Sequence, residues 1–341
     1  MLKKHLETFK NKQSNKTNMA KYDVITIGSA TVDAFARTDT NKILYQHHRF
    51  CYPSGTKIIL SELIFTTGGG GTNTAVSFSR LGLKTAFLGR VGKYANASRV
   101  IYELKKDRVD TSLVIKGEGR TGYSIILDPK GHDRTVLTYK GSSNDLKLNQ
   151  VKLSKLNTKW IYMSAMMEES YKTAAKIAEY ASKKGIKIAF NPSSYLAKKG
   201  RKYLAPILSR TDIIVLNKEE AEMITQKRTV EHMLKEMRKI GPKITIITDG
   251  SKGTLAYDGK LMRIAKPHKI KVIDTTGAGD SFASAFVAGI IQGKTIEESL
   301  KMGTSNAESV ISYVGAKAGL LTKKEMEKAL KKKFEIKTKK I

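Results

Sequence analysis

The chain has 341 residues, 40% of them hydrophobic, enough for a sizeable core in one large α/β domain or two smaller ones. Its 62 lysines and arginines against 31 acidic residues give a formal charge of +31, and its single cysteine, Cys51, excludes an internal disulfide. No window approaches the ~18 uninterrupted apolar residues of a spanning helix, and MLKKHLETFKNKQ lacks the apolar core of a secretory signal, so the expected location is the cytoplasm. The charge raises the question of nucleic acid, but the lysines crowd at the two ends and elsewhere sit singly at helical spacing. With no RRM, KH or zinc-finger pattern, a solvated basic surface is the reading, and neither nucleic acid nor membrane is expected as a partner.

Residues 1–20 carry no apolar periodicity and are expected to form a disordered basic tail. The β-rich VITIG follows Met19 closely, which makes Met19 a candidate start; an organellar presequence is the rival, which Glu7 disfavours. Strand pairs are expected near 34–66 and 120–140, the second about a PKGHD turn. KTAFLGRVG reads as a strand and SRVIYELKKDRV as a helix. WIYMSA precedes the helix EESYKTAAKIAEYASKKG, which stops at Gly185. Then come IKIAFNPS, strand DIIVLN with helix KEEAEMI, helix TVEHMLKEMRKIG, strand KITIITDG and the hairpin GTLAYDGKLMRI. This alternation implies a mainly parallel sheet covered on both faces, with the two strand pairs set apart as a small sheet. The lysine-rich residues 322–341 read as a C-terminal tail or helix, solvated at the KKK run of 331–333.

Two glycine-rich turns interrupt the pattern. In FTTGGGGTNTAVSFSRLG, four glycines at 68–71 lie between a strand-like run and a helix, where bare backbone and unpaired N–H groups can approach a ligand. A Walker A loop would need Gly-Lys-Ser/Thr, and a dinucleotide fold an acid about 20 residues on; neither is present. A close-approach loop remains, with Asn73 able to donate to and accept from a hydroxylated ligand. In DTTGAGDSFASAFVAGII, a helix beginning near Ala278 would aim the N–H groups of residues 277–280 at an anion, with Asp280 either a plain helix-capping acid or the group that takes a proton from an attacking hydroxyl.

GGGGTNTAVSFSRLG, NKEEAE, TDGSKG and DTTGAGDSFASAFVAGI, in that order, resemble the signatures of the PfkB carbohydrate kinases, the ribokinase-like sugar and nucleoside kinases, over residues 21–321. The resemblance implies a three-layer α/β/α fold with a mainly parallel central sheet and a small β-sheet lid from about 34–66 and 120–140. It implies an ATP-dependent, Mg²⁺-requiring kinase acting on a small sugar, with a nucleoside or a sugar phosphate as alternative acceptor. A catalytically idle protein binding ligand or nucleic acid is the reading from a different class. Asp280 would be the catalytic base, and Gly277, Ala278, Gly279 and Asp280 the anion hole. Asp33, Gly69, Gly70 and Asn73 would hold the acceptor. Asn217, Thr248, Gly250, Gly253 and Asn306 would line the ATP site, with Glu220 holding Mg²⁺ through water. Asp274 and Thr276 match positions that help bind K⁺ in several members, and homodimers through the lid are common among similar proteins.

This sequence departs from ribokinases in three places: Gly70 stands where Lys is common, Ala165 where a sugar-contacting Glu is common, and GKYANA puts Tyr94 and Ala97 in place of Asp and Gly. The first two argue against ribose itself. His47, His48 and Cys51 in HHRFC could ligate a metal but lack a convincing fourth ligand, so lid residues are the reading. Met163, Met166 and Met167 are expected in core packing or an acceptor wall.

Overall fold

The computed structural model describes residues 20–39, 43–47, 49–129 and 134–341. The expected basic tail, His48 and most of the PKGHD turn therefore lie outside the described residues.

Nine strands form the main sheet: β1 (Tyr22–Ile27), β6 (Thr85–Leu88), β11 (Thr158–Met163), β12 (Lys187–Phe190), β13 (Ile213–Asn217), β14 (Ile244–Thr248), β15 (Thr254–Tyr257), β16 (Leu261–Ala265) and β17 (Ile336–Lys340). Their order is β17-β16-β15-β14-β13-β12-β11-β1-β6, parallel from β14 to β6 and antiparallel from β14 to β17. The parallel strands are apolar on both faces because both faces are covered. On one side Ile25, Ile161, Ile188 and Ile214 pack under the helices α3 (Glu168–Lys183), α5 (Gly200–Leu208), α6 (Lys218–Thr225) and α7 (Val230–Ile240). On the other, Val24, Tyr162, Val215 and Ile246 pack under α1 (Gly70–Arg80), α8 (Ala278–Ile291) and α9 (Ile296–Val310). The remaining helices, α2 (Ala95–Lys106), the short α4 (Ser193–Ala197) and α10 (Lys323–Ala329), flank these layers.

Within the C-terminal residues 322–341, 323–329 are helical and Lys331, Lys332 and Lys333 are exposed beyond that helix; the edge strand that follows was not expected from the sequence. Met326 of α10 is buried, and β17 adds an antiparallel edge strand whose Lys339 forms an ion pair with Glu231. Lysines on this edge discourage pairing with another chain.

A four-stranded sheet stands apart, in the order β10 (Thr135–Tyr139), β9 (Gly122–Pro129), β2 (Thr31–Thr38), β5 (Glu62–Gly68). Its register gives it two unlike faces, because neighbours across strands share a face and side chains alternate along each strand. Asp33 sits beside Ser124, and Ser124 beside Thr138, on the inner face. Phe65 and Ile125 flank Ala34 on the outer face, and Leu137 pairs with Ile125 there. That outer face exposes Leu63, Phe65, Ile125 and Leu137. Two short ribbons, β3 (Leu44–Gln46) with β4 (Arg49–Cys51) and β7 (Arg90–Val91) with β8 (Ile115–Lys116), complete the strands among the described residues.

Phe286 of α8 is 0% exposed in the layer between this helix and the sheet. Phe286→Ala is expected to cost about 3–5 kcal/mol in denaturant unfolding, because the site cannot collapse around the lost ring. Tyr102→Ser, at a side chain 65% exposed, is expected to stay within about 0.5 kcal/mol of wild type.

Candidate active site

The two glycine turns meet. α1 and α8 start side by side under the same sheet face, and Asn73 Nδ2 donates to Asp280 Oδ2 over 2.9 Å. One helical turn on, Ser284 Oγ donates to Ser77 Oγ over 2.7 Å. Asn73 and Ser77, like Asp280 and Ser284, are four residues apart and so project from one face of each helix. The paired bonds form a polar seam that fixes the two helices in axial register.

A cavity of about 260 Å³ opens over this seam, lined by Asp33, Gly69, Gly70, Asn73, Gly277 and Asp280 together with Lys140, Ser164, Asn191 and Tyr195. Its floor is the carboxyl ends of the parallel strands, where α/β sheets place ligands, and its roof is the inner face of the small sheet. Met166 and Met167 also line it, whereas Met163 is buried in the core.

Gly277 opens α8 with φ +79°, a left-handed conformation that favours glycine, and a Cβ there would lie 2.4 Å from that of Ala316. Gly279 has no such reason to be glycine: a Cβ would meet nothing within 4 Å. A bare surface at that point suits a ligand approaching the backbone. Of the four N–H groups expected in the anion hole, that of Ala278 is donated to the Thr275 carbonyl at 3.3 Å, while those of Gly277, Gly279 and Asp280 meet no acceptor among the described residues. Three donors at the positive end of a 14-residue helix remain for an anion.

Burial pushes the Asp280 carboxyl above the usual aspartate range, while the Asn73 hydrogen bond and the Lys317 ammonium pull it back. Asp33 is likewise raised by burial, against hydrogen bonds from Thr31, at 2.9 Å, and Ser124 and the charges of Lys317 and Lys140. Both carboxylates therefore stand ready to accept protons or hydrogen bonds more strongly than exposed aspartates do.

Lys317, in VGAKAG, lies outside the cavity lining, but its charge acts on both Asp33 and Asp280, and the sequence reading missed it. Its ammonium donates to Thr67 Oγ1 and Thr72 Oγ1, each at 2.9 Å, and burial pushes it down to about 8. A lysine in a Gly/Ala loop just past a helix was the available signal. Lys140, Ser164, Asn191, Ser193 and Tyr195 were also missed; only the fold gathers them.

The expected nucleotide residues sit at the ends of neighbouring strands: Asn217 of β13 pairs with Thr248 of β14. Asn217 and Glu220 cap α6 reciprocally, Glu220 N–H donating to Asn217 Oδ1 at 2.8 Å and Asn217 N–H to Glu220 Oε2 at 3.0 Å. The Glu220 carboxyl is raised by burial and by the charges of Glu219 and Asp280. Gly250 is open to its surroundings, whereas a Cβ on Gly253 would strike the Ala265 carbonyl at 2.4 Å, so Gly253 serves the turn itself.

Two expectations do not fit. Asn306 is 0% exposed; its Nδ2 donates to Ser77 Oγ and to the Ser281 carbonyl, and its Oδ1 accepts from Leu321 N–H, which leaves nothing to offer an adenine. The K⁺ expected at Asp274 and Thr276 meets a closed donor set. Asp274 Oδ1 accepts from Thr276 N–H and Oγ1 and pairs with Arg134 Nη1 at 2.8 Å, while Oδ2 accepts from Gly315 N–H. The guanidinium already supplies the positive charge there. Cys51 and His47 are exposed, and no three metal-ligating side chains cluster among the described residues.

The family model described as pfkB family carbohydrate kinase matches residues 22–323. An uncharacterized sugar kinase of Archaeoglobus fulgidus is 30% identical over 255 residues, covering 72% of this chain and 98% of its own. A 5-dehydro-2-deoxygluconokinase of Clostridium perfringens is 28% identical over 336 residues, covering 92% and 94%. A ribokinase crystal structure from Thermotoga maritima superposes with a TM-score of 0.78 at 22% identity, covering 91% of this chain and 100% of that one, a likeness of fold. No described helix is long and apolar enough to cross a membrane.

Lys317→Met removes a positive charge that lowers both Asp33 and Asp280. Both carboxyls are expected to rise further, so the acid limb of kcat/KM against pH should move to higher pH; an unmoved limb would show that Lys317 is electrostatically remote from the chemistry.

Proposed function

The chain belongs to the pfkB family of carbohydrate kinases, and on that footing we propose that it transfers the γ-phosphoryl group of ATP to a hydroxyl of a small sugar, with Asp280 as the base. The observation that carries this reading is the convergence of Asn73, Asp280 and Asp33 on one cavity, with free N–H groups at the start of α8 beside the carboxylate. Asp33 accepts hydrogen bonds from acceptor hydroxyls and orients the sugar. Asp280 takes the proton of the attacking hydroxyl as its oxygen bonds to the γ-phosphorus; the bond from that phosphorus to the bridging oxygen breaks, and its electron pair leaves with ADP. The backbone N–H groups of Gly277, Gly279 and Asp280 neutralise charge on the transferring oxygens without reorganising. A buried carboxyl held above its usual range is a stronger base once ionised, which suits a hydroxyl that gives up its proton reluctantly.

ATP would lie across the ends of β13 and β14, along Asn217, Thr248 and the open backbone at Gly250. Mg²⁺ fits in one respect: Glu220 and Asp280 repel each other, and a divalent cation on the nucleotide phosphates offsets that repulsion. Glu220 would hold it through water, and the ion would neutralise phosphate charge. The small sheet roofs the cavity and excludes water, which otherwise competes as nucleophile.

Release of ADP across a panel of pentoses, hexoses, sugar acids, sugar phosphates and nucleosides tests the reading, and a protein that turned over none of them would sink it. With the best acceptor, Asp280→Asn is expected to lower kcat by about 10²–10⁴ while nucleotide affinity holds. Asp33→Ala is expected instead to raise the acceptor KM by about 10–100-fold, the scale of a lost hydrogen bond to a charged group. If the two variants had the same kinetic signature, the division of labour between these carboxylates would be wrong.

A further inference from the structure

Lys140 follows β10 directly and lies two residues beyond Thr138, on the inner face of the roof, where it lines the same cavity as Asp33 and Asp280. It is half-buried and forms no ion pair among the described residues. Its Nζ stands 4.3 Å from the ring centre of Tyr195, which belongs to α4 on the opposite wall. An ammonium withdrawn from water and left with an aromatic face is incompletely compensated. Burial accordingly lowers its pKa, while Asp33 raises it only by charge at a distance.

The groups beside it are suited to donate. Ser193 Oγ is buried without a partner among the described residues, and Asn144 and Asn191 line the same cavity. Asp33 and Asp280, on the same lining, present negative charge, and the charges of Asp33 and Lys140 reach each other without an ion pair between them. The cavity thus joins acceptors of hydroxyl protons to a cation that is unpaired among the described residues and has hydroxyl and amide donors on the same lining. A neutral sugar would use the carboxylates and leave the ammonium uncompensated.

Resting on the kinase reading above, we propose that the natural acceptor is an anionic sugar, one bearing a carboxylate or a phosphate, and that Lys140 is the residue that selects it by pairing with that oxyanion. The hydroxyl to be phosphorylated then lies toward Asp280 and the anionic group toward Tyr195. An oxyanion held there would bridge roof and floor, because Lys140 belongs to one and Ser193 and Tyr195 to the other.

The test compares matched pairs, D-gluconate with D-glucitol and fructose 6-phosphate with fructose, by calorimetric binding and by ADP release. Wild-type protein is expected to bind one anionic member more tightly than its neutral partner, and which pair shows the preference separates carboxylate from phosphate. Lys140→Met should shrink that ratio by about 30-fold or more, the scale for removing one partner of a buried charge pair, and Lys140→Arg should restore part of it. Asp280→Asn should lose turnover yet keep the binding preference, so a failure of the catalytic reading is visible apart from a failure of this one. If wild type shows no preference in either pair, including no binding at all, or if Lys140→Met lowers both members of the preferred pair equally, the proposal is overturned.

Discussion

The hydrogen bond from Asn73 to Asp280 is the constraint on which the rest of the site depends. It joins two helix starts more than 200 residues apart in sequence, separated by 207 positions, and the Ser77–Ser284 bond one turn away prevents the helices from sliding past each other. The seam sets the axial register in which the start of α8 and the Asn73 side of α1 border the same cavity. Asn306, expected at a nucleotide, proves to be part of the same fastening: it ties α9 to Ser77 of α1 and to the Ser281 carbonyl of α8.

The electrostatics of the cavity follow from a second constraint, desolvation. Asp33, Asp280 and Glu220 are raised, and Lys140 and Lys317 are lowered, with burial the leading cause in all five. A folded interior would ordinarily pair such groups, because unpaired buried charge is costly. Here no carboxylate forms an ion pair with either lysine among the described residues; Asp33, Asp280 and Lys140 border the cavity, whereas Glu220 caps α6 and Lys317 is held by Thr67 and Thr72. That arrangement is stable only if the charges are few and partly hydrated, and it is useful only if a ligand of complementary charge completes it. By contrast Asp274, in the loop before α8, is fully paired by Arg134 and backbone, which makes it a structural anchor between roof and loop.

The parallel core was legible in the sequence because its strands are continuous apolar runs bounded by glycine, asparagine or aspartate, and helices such as α3 and α7 carry a clear apolar stripe. What escaped was structure whose signal is long-range. α4 and α5 lie in PSSYLAKKGRKYLAPIL, where Gly200 and the internal Pro206 break local periodicity, and packing against α3 and α6 holds them helical. β17, IKTKK, has almost no apolar content and is a strand because β16 presents it an open edge. The site shows the same division. Asp280, Asn73 and Asp33 announce themselves beside glycine or strand motifs, whereas Lys140, Ser193 and Tyr195 are ordinary residues until the roof folds over α4. The register Asp33–Ser124–Thr138 is what sets Lys140 on the inner face of the roof.

The central claim is that Asp280, held by Asn73, takes the acceptor proton, and the single-turnover rate of phosphoryl transfer against pH, at saturating ATP and acceptor, tests it most directly. In wild-type protein the rate should fall on the acid side through a pKa above the ordinary aspartate value. In Asn73→Ala, which removes the hydrogen bond that favours the ionised form, that fall should move to higher pH. A rate that stays flat through this range, or an acid limb that Asn73→Ala leaves in place, would contradict the account.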